Sequence, residues 1–225
     1  MKKLFLFSVL SVIVLTLNAQ KAKNDAGFEG TITYAVTTEG EFDANTKAQL
    51  PTEVVWTFKG PKSSMLMKTG FGNITIIANA DSKEQVVLYD MMGQKMAIKS
   101  TKEETEKALA EIPETKVTET TETKKILNYN CKKVQVSDDK NNTMDVFVTD
   151  EIQVPNANWN TQYKNIKGLM LEYSQKGNPD SDAKMIFTAK EVKKSKVKDA
   201  VFEIPSDFKQ MSMTEFKQMF GGGEE

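Results

Sequence analysis

From Phe28 onward the chain runs in short stretches of alternating apolar and polar residues, rich in Val, Ile, Thr, Phe and Tyr and separated by turn signals. That period predicts antiparallel β-structure. FEGTITYAVTT reads as a first strand, and the polar stretch Glu39 to Thr52 as a loop or a short helix around Asp43 to Gln49. EVVWTFKGPKSSMLMKT predicts a hairpin. With Gly60-Pro61 as its two-residue turn, Phe58 faces Ser63, Trp56 faces Met65 and Val54 faces Met67. Cross-strand partners share a face, so Val54, Trp56, Phe58, Met65 and Met67 form one apolar patch, backed by Thr57, Lys59, Ser64 and Lys68.

NITIIANADSKEQVVLYDMMGQKMAIKS repeats the pattern, with turns at Asp81-Ser82-Lys83 and at Gly93-Gln94. The second turn predicts Met91 opposite Met96 and Tyr89 opposite Ile98, so Val87, Tyr89, Met91, Met96 and Ile98 share a face. Thr101 and Glu104 form a capping box that opens a short helix, and Pro113 closes it. KVTETTETKK alternates threonine with charge, as a half-solvated strand does. Further strands are expected around Lys132 to Ser137, Met144 to Asp150, Leu169 to Ser174, Lys184 to Val192 and Val201 to Ile204, with a short helix at Asn156 to Tyr163. Ser212 and Glu215 form a second capping box, for a helix that Gly221 ends. The expectation is an α+β meander of about ten strands with two or three short helices.

The first residues change the picture of location. MKKLFLFSVLSVIVLTLNAQ places Lys2 and Lys3 ahead of an apolar run and a small residue, Ala19. This predicts a signal peptide over residues 1–19 and a single mature domain over 20–225, exported to a periplasm or beyond the cell. The run of about 14 residues is short for a bilayer span, which needs roughly 20. No transmembrane segment is expected after cleavage.

Composition narrows the chemistry. The chain contains no histidine and no arginine; all 30 basic residues are lysine, set against 31 acidic ones. Histidine-based triads, histidine-ligated zinc and guanidinium clamps are therefore excluded. The near-neutral charge gives no electrostatic reason for nucleic-acid binding. Cys131 is the single cysteine, so no internal disulfide can form. Strand alternation places it with Tyr129, Lys133 and Gln135 rather than with Val134 and Val136; an exported lone thiol is either buried and inert or exposed for pairing between chains, and burial near a strand start is the expectation.

Two constellations invite metal readings. Asp139, Asn141, Thr143, Asp145 and Asp150 fit positions of a calcium-loop count, but Met144 stands where glycine is needed and strands flank the segment; a polar hairpin turn is expected. The 12 methionines suggest Cu(I), yet without histidine or a second cysteine to complete a site they read as a flexible apolar lining. Neither a metal nor a cofactor is expected.

The order of FEGTITY, FKGPKSSM, LYDMMGQKMAIK, ILNYNCKKVQV, VFVTDEI, NIKGLMLEYS and TAKEVKKSKVKDAVFEIPSDFKQM resembles a family of exported bacterial proteins with an uncharacterised domain. That family is similar to the LolA and LolB lipoprotein-carrier superfold. The resemblance implies a strongly curved antiparallel sheet, an open half-barrel whose concave face is covered by helices. It implies by analogy a groove for an acyl chain or other apolar ligand, and an unpaired, buried Cys131.

The expected function is non-catalytic: an envelope binding or carrier protein for a lipid-like ligand. The alternative is a structural or protein-interaction module with an envelope protein partner and no small ligand. Candidate groove residues are Val54, Trp56, Phe58, Met65, Met67, Tyr89, Met91, Met96 and Ile98, and the rival for the same side chains is simple core.

Overall fold

The structure, a computed structural model, describes residues 27–139, 142–176 and 182–220. The expected signal peptide, Asn141 of the calcium-loop count and the Gly221 cap lie outside the described residues.

Twelve strands form one sheet, in the order β12-β6-β5-β4-β3-β2-β1-β11-β10-β9-β8-β7. They are β1 (Gly30–Glu39), β2 (Glu53–Lys59), β3 (Lys62–Thr69), β4 (Gly72–Asn79), β5 (Gln85–Met91), β6 (Gln94–Ser100), β7 (Lys116–Ile126), β8 (Tyr129–Ser137), β9 (Thr143–Thr149), β10 (Leu169–Lys176), β11 (Lys184–Lys194) and β12 (Lys209–Ser212). Every neighbouring pair is antiparallel except β12 with β6. Sequential antiparallel neighbours make up the two runs β1 to β6 and β7 to β11, and the long pairing of β1 with β11 joins them.

Three short helices accompany the sheet: α1 (Ala44–Gln49), α2 (Lys102–Ala110) and α3 (Met213–Phe220). Asp43 caps α1 by accepting from the backbone of Asn45 and Thr46. The capping box expected at Thr101 and Glu104 is present at the start of α2. Ser212 and Glu215 bond reciprocally at the start of α3.

Local expectations fail at three places. Residues 156–163 form successive turns instead of a helix. Val201 to Ile204 is not a strand: a 3-10 turn occupies Asp199–Phe202, Pro205 follows, and the last strand is β12. Proline lacks the N–H that a ladder needs, so an apolar stretch leading into it packs by side chains alone. The β5–β6 register is also shifted. Met92 and Gly93 both have positive φ, 52° and 81°, which makes them the central residues of the turn. Met91 therefore pairs with Gln94, Tyr89 with Met96 and Val87 with Ile98. The shift is two residues, so it preserves the shared face.

The register divides the sheet into two faces. The front carries Ile32 and Tyr34, then Val54, Trp56 and Phe58, and continues through Met65 and Met67 to the partners of β4, β5 and β6. The main core lies over β1, β2 and β8 to β11, where Ile152, Ala157, Tyr163 and Ile166 of the β9–β10 connection pack into it. A turn-rich loop, not a helix, thus covers most of the front. Tyr163 secures that loop by donating to the Ser174 carbonyl, and its ring meets Tyr173 edge-on. On the back, Ile77, Leu88 and Ala97 are sealed by Phe202, Ile204 and Phe208.

The calcium-loop segment behaves as a hairpin. Ser137 pairs with Thr143, and Asn142 donates its backbone N–H to Asp138 at 2.8 Å. Cys131 is 1% exposed and unpaired, as expected, and burial pushes its thiol pKa up.

Candidate functional site

The hairpin β2–β3 has the register that a Gly60-Pro61 turn dictates: Val54 opposite Met67, Trp56 opposite Met65 and Phe58 opposite Ser63. Met65 is next paired with Ile76 and Met67 with Ile74 on β4; Ile76 then pairs with Val87 and Ile74 with Tyr89 on β5. All nine candidate residues therefore lie on the front face of one sheet.

They do not share one environment. Val54, Trp56 and Phe58 are at most 2% exposed and belong to the main core, where the Trp56 and Phe58 rings touch at 4.8 Å. Ile98 is buried as well. Val54, Trp56 and Phe58 pack in one core cluster with Ile152, Ala157, Tyr163 and Ile166 of the loop over residues 150–168, so they serve as core. Met65, Met67, Tyr89, Met91 and Met96 are half-buried instead.

These five, together with Ile74, Ile76 and Val87, make a continuous half-open apolar strip across β3 to β6. At one end the covering loop reaches it: Asn160 donates to the Gln85 side chain at 2.9 Å, and the Lys83 ammonium sits 4.4 Å over the Trp159 ring. At the other end α3 lies on it through Phe216, whose ring stacks on Tyr89 at 6.4 Å. Beside α3 an open cleft of about 350 Å³ is lined by Gln94, Lys95, Met96, Lys209, Met211 and Met219.

Sequence reasoning missed part of this strip. Ile74 and Ile76 carry the signal, since β4 alternates and they occupy one face. Met211 and Met219 gave none. They reach the cleft because β12 adds to the edge of β6 and α3 then turns back over the sheet.

Apart from Lys95 at the cleft, whose pKa the Asp207 carboxylate raises, the groups that the fold perturbs most lie elsewhere. Glu53 is gripped by Lys190 and by Lys68 at 2.6 Å, which lowers its pKa to about 2. The Asp207 carboxylate binds Lys95 at 2.7 Å and is likewise shifted down. Burial raises the pKa of Tyr34, Tyr163 and Tyr173, all within the main core. Among the described residues no group of three His, Cys, Asp or Glu is placed to hold a metal ion. No helix among them is long and apolar enough to cross a membrane.

An open, mostly antiparallel α+β sheet with an apolar half-open face is the class that the coordinates define. The chain belongs to the family described as N-glycanase peptide, N-terminal domain, whose model matches residues 89–214. This is a different family from the carriers that the motifs resemble.

Two structures of PNGF-II, in space groups C2 and P21, align with TM-score 0.52 at 20% and 19% identity, covering 86% and 87% of this chain. They establish a shared fold. This chain accounts for only 32% and 34% of theirs, so it spans about a third of the length of those proteins. A LolA-superfamily protein from Nitrosomonas europaea aligns at TM-score 0.33 and 10% identity over 78% of this chain and 90% of its own, below the range that shows a common fold. No curated protein sequence matches significantly.

Proposed function

We propose that the chain is a non-catalytic binding domain of an exported envelope protein, and that its half-open front face holds an apolar, acyl-chain-like ligand. The observation that carries this is the strip from Met65 and Met67 through Ile74, Ile76, Val87 and Tyr89 to Met96, which α3 and the covering loop leave only part-buried. A contiguous apolar strip that the fold leaves only part-buried supports a binding role. An acyl chain laid along it gains about 0.8 kcal/mol per buried methylene, without any charged clamp. In this reading the sheet curves as a half-barrel with the strip on its inner side, and α3 closes one end.

The test is displacement of a fluorescent fatty-acid probe from the purified chain, repeated with Met65→Glu and Tyr89→Glu. Loss of probe binding in both variants, with unchanged circular dichroism, is the expected result. A wild-type chain that takes up no probe overturns the reading.

A second reading has its own support. The matched family is a domain of N-glycanases, and PNGF-II has about twice as much chain again beyond the shared region. The strip would then dock protein, either another domain or an envelope partner. Crosslinking from Met67 replaced by a photoreactive residue separates the two, since a docked protein gives a heavier adduct and a lipid does not.

A further inference from the structure

We infer that the rim where the β3–β4 and β5–β6 turns meet the end of α3 is a docking tip for a lipid bilayer, with Phe71, Met92 and Met219 as the side chains that insert. This rests on the reading of the apolar strip, and it names the surface from which the strip takes its ligand.

Among the described residues five large apolar side chains are exposed, and three of them gather at this rim: Met92 at 83%, Met219 at 53% and Phe71 at 42%. Met92 and Phe71 are neighbours, since the Met92 backbone N–H donates to the Phe71 carbonyl at 3.3 Å. Met219 comes beside them over Gln94, Lys95 and Met96, the first residues after the Met92-Gly93 turn. Leu127 and Val201, the other two, lie apart, on the β7–β8 turn at the far edge of the sheet and on the 3-10 turn Asp199–Phe202.

Local preference does not account for Met92. Its φ of 52° lies in the left-handed region, where such turns favour glycine or asparagine, and its exposure favours a polar side chain. Methionine meets neither demand. A residue that breaks a local rule with no packing gain points to a function. The neighbouring turn is pinned with its ring exposed: the Thr69 hydroxyl accepts from the Phe71 N–H at 3.2 Å and donates to the Gly72 carbonyl at 3.0 Å. At Gly72, with φ 142°, a Cβ would lie 2.1 Å from the Asp90 carbonyl oxygen, so glycine is what lets the two turns sit side by side.

A lipid surface fits this rim better than a protein does. The three side chains stand on separate elements with Gln94, Lys95 and Lys209 among them, so they are prongs rather than the contiguous patch of a protein interface. A fluid acyl layer closes around prongs without a complementary shape. Lys95 is balanced by Asp207 at 2.7 Å and Asp90 at 3.8 Å, so apolar insertion rather than attraction to anionic headgroups drives docking. Met91 ends the strip one residue before Met92, paired with Gly72 beside Phe71. The tip and the strip are thus continuous, and an acyl chain passes from bilayer to strip along apolar side chains.

The experiment is flotation of the purified chain with vesicles of phosphatidylcholine, with and without phosphatidylglycerol. The wild type should float with both, and 0.5 M salt should not release it. Met92→Asn suits the turn and removes the apolar prong; it and Phe71→Asn should each weaken partition roughly ten-fold, with unchanged circular dichroism. Leu127→Asn should float as the wild type does. The proposal fails if the wild type floats with neither vesicle, if both tip variants float as well as it does, or if flotation needs phosphatidylglycerol and disappears in salt. It fails too if the wild type is a dimer that Met92→Asn turns into a monomer, since the tip is then a protein contact. Fatty-acid probe uptake by Met92→Asn without vesicles should equal that of the wild type, and it reads the strip separately from the tip.

Discussion

The rings of Tyr89 on β5 and Phe216 on α3 stack nearly parallel, 5° apart in plane and 6.4 Å between centroids. This contact helps hold the terminal helix over the half-open face, beside the bond from the Thr214 hydroxyl to Glu104. Phe216→Ala should release α3 at a cost of about 0.5–1.5 kcal/mol beyond lost area. The measurement is amide exchange over residues 213–220, which should accelerate while β1 and β2 stay protected.

Burial separates the candidate residues into two energetic classes. Trp56→Ala should cost about 3–5 kcal/mol, because it opens a cavity in the main core. Met67→Ala, half-exposed at the start, should cost less than about 2 kcal/mol. Urea midpoints at constant m-value decide the matter, and equal losses would contradict the division.

Tyr34 donates its hydroxyl to the Met170 carbonyl at 2.8 Å, bridging β1 and β10. Tyr34→Phe leaves a buried carbonyl unpaired and should cost about 1–3 kcal/mol. Thermal denaturation of the variant is the check.

Alkaline pH should act on the same region. Burial raises the folded-state pKa of Tyr34, Tyr163 and Tyr173 above the unfolded value, so their neutral forms are favoured by the fold. That contribution is complete below pH about 10 and is lost as pH climbs toward the folded values. The melting temperature should therefore fall above pH about 10, and the slope should lessen in a variant with all three replaced by phenylalanine.

Acid acts through a different group. Glu53 titrates at about 2 in the fold, depressed by hydrogen bonds from Lys190 and Lys68. Its share of stability is present above the ordinary carboxylate range and disappears as pH falls toward 2. Because the pair is exposed, 0.5 M salt should remove most of the effect, and Glu53→Gln should abolish its pH dependence.

Much of this architecture is readable in the strand period. The Gly60-Pro61 turn alone assigned every partner in β2–β3, because a two-residue loop leaves no freedom of register. At β5–β6 the same logic erred by two residues, since Gly93 was placed first in the turn and the exposed Met92 took that position. Side-chain period survived the error, as a slip of two returns each residue to its own face. The helix expected at residues 156–163 failed for another reason: Tyr163 and Ile166 pack into the main core, and Asn158 donates to the Ile166 carbonyl, which favours turns over a helix.

The chain by itself determined that Val54, Trp56, Phe58, Met65, Met67, Tyr89, Met91, Met96 and Ile98 lie on one face of antiparallel strands, because alternation and short turns are local. It also determined that histidine and arginine chemistry is absent. Only the tertiary structure decided which of the nine are buried and which stay half-buried. It alone brought Met96, Met211 and Met219 to one cleft. Cover is a matter of what packs in front of a strand, and that is set by contacts between residues far apart in the chain, which no local period records.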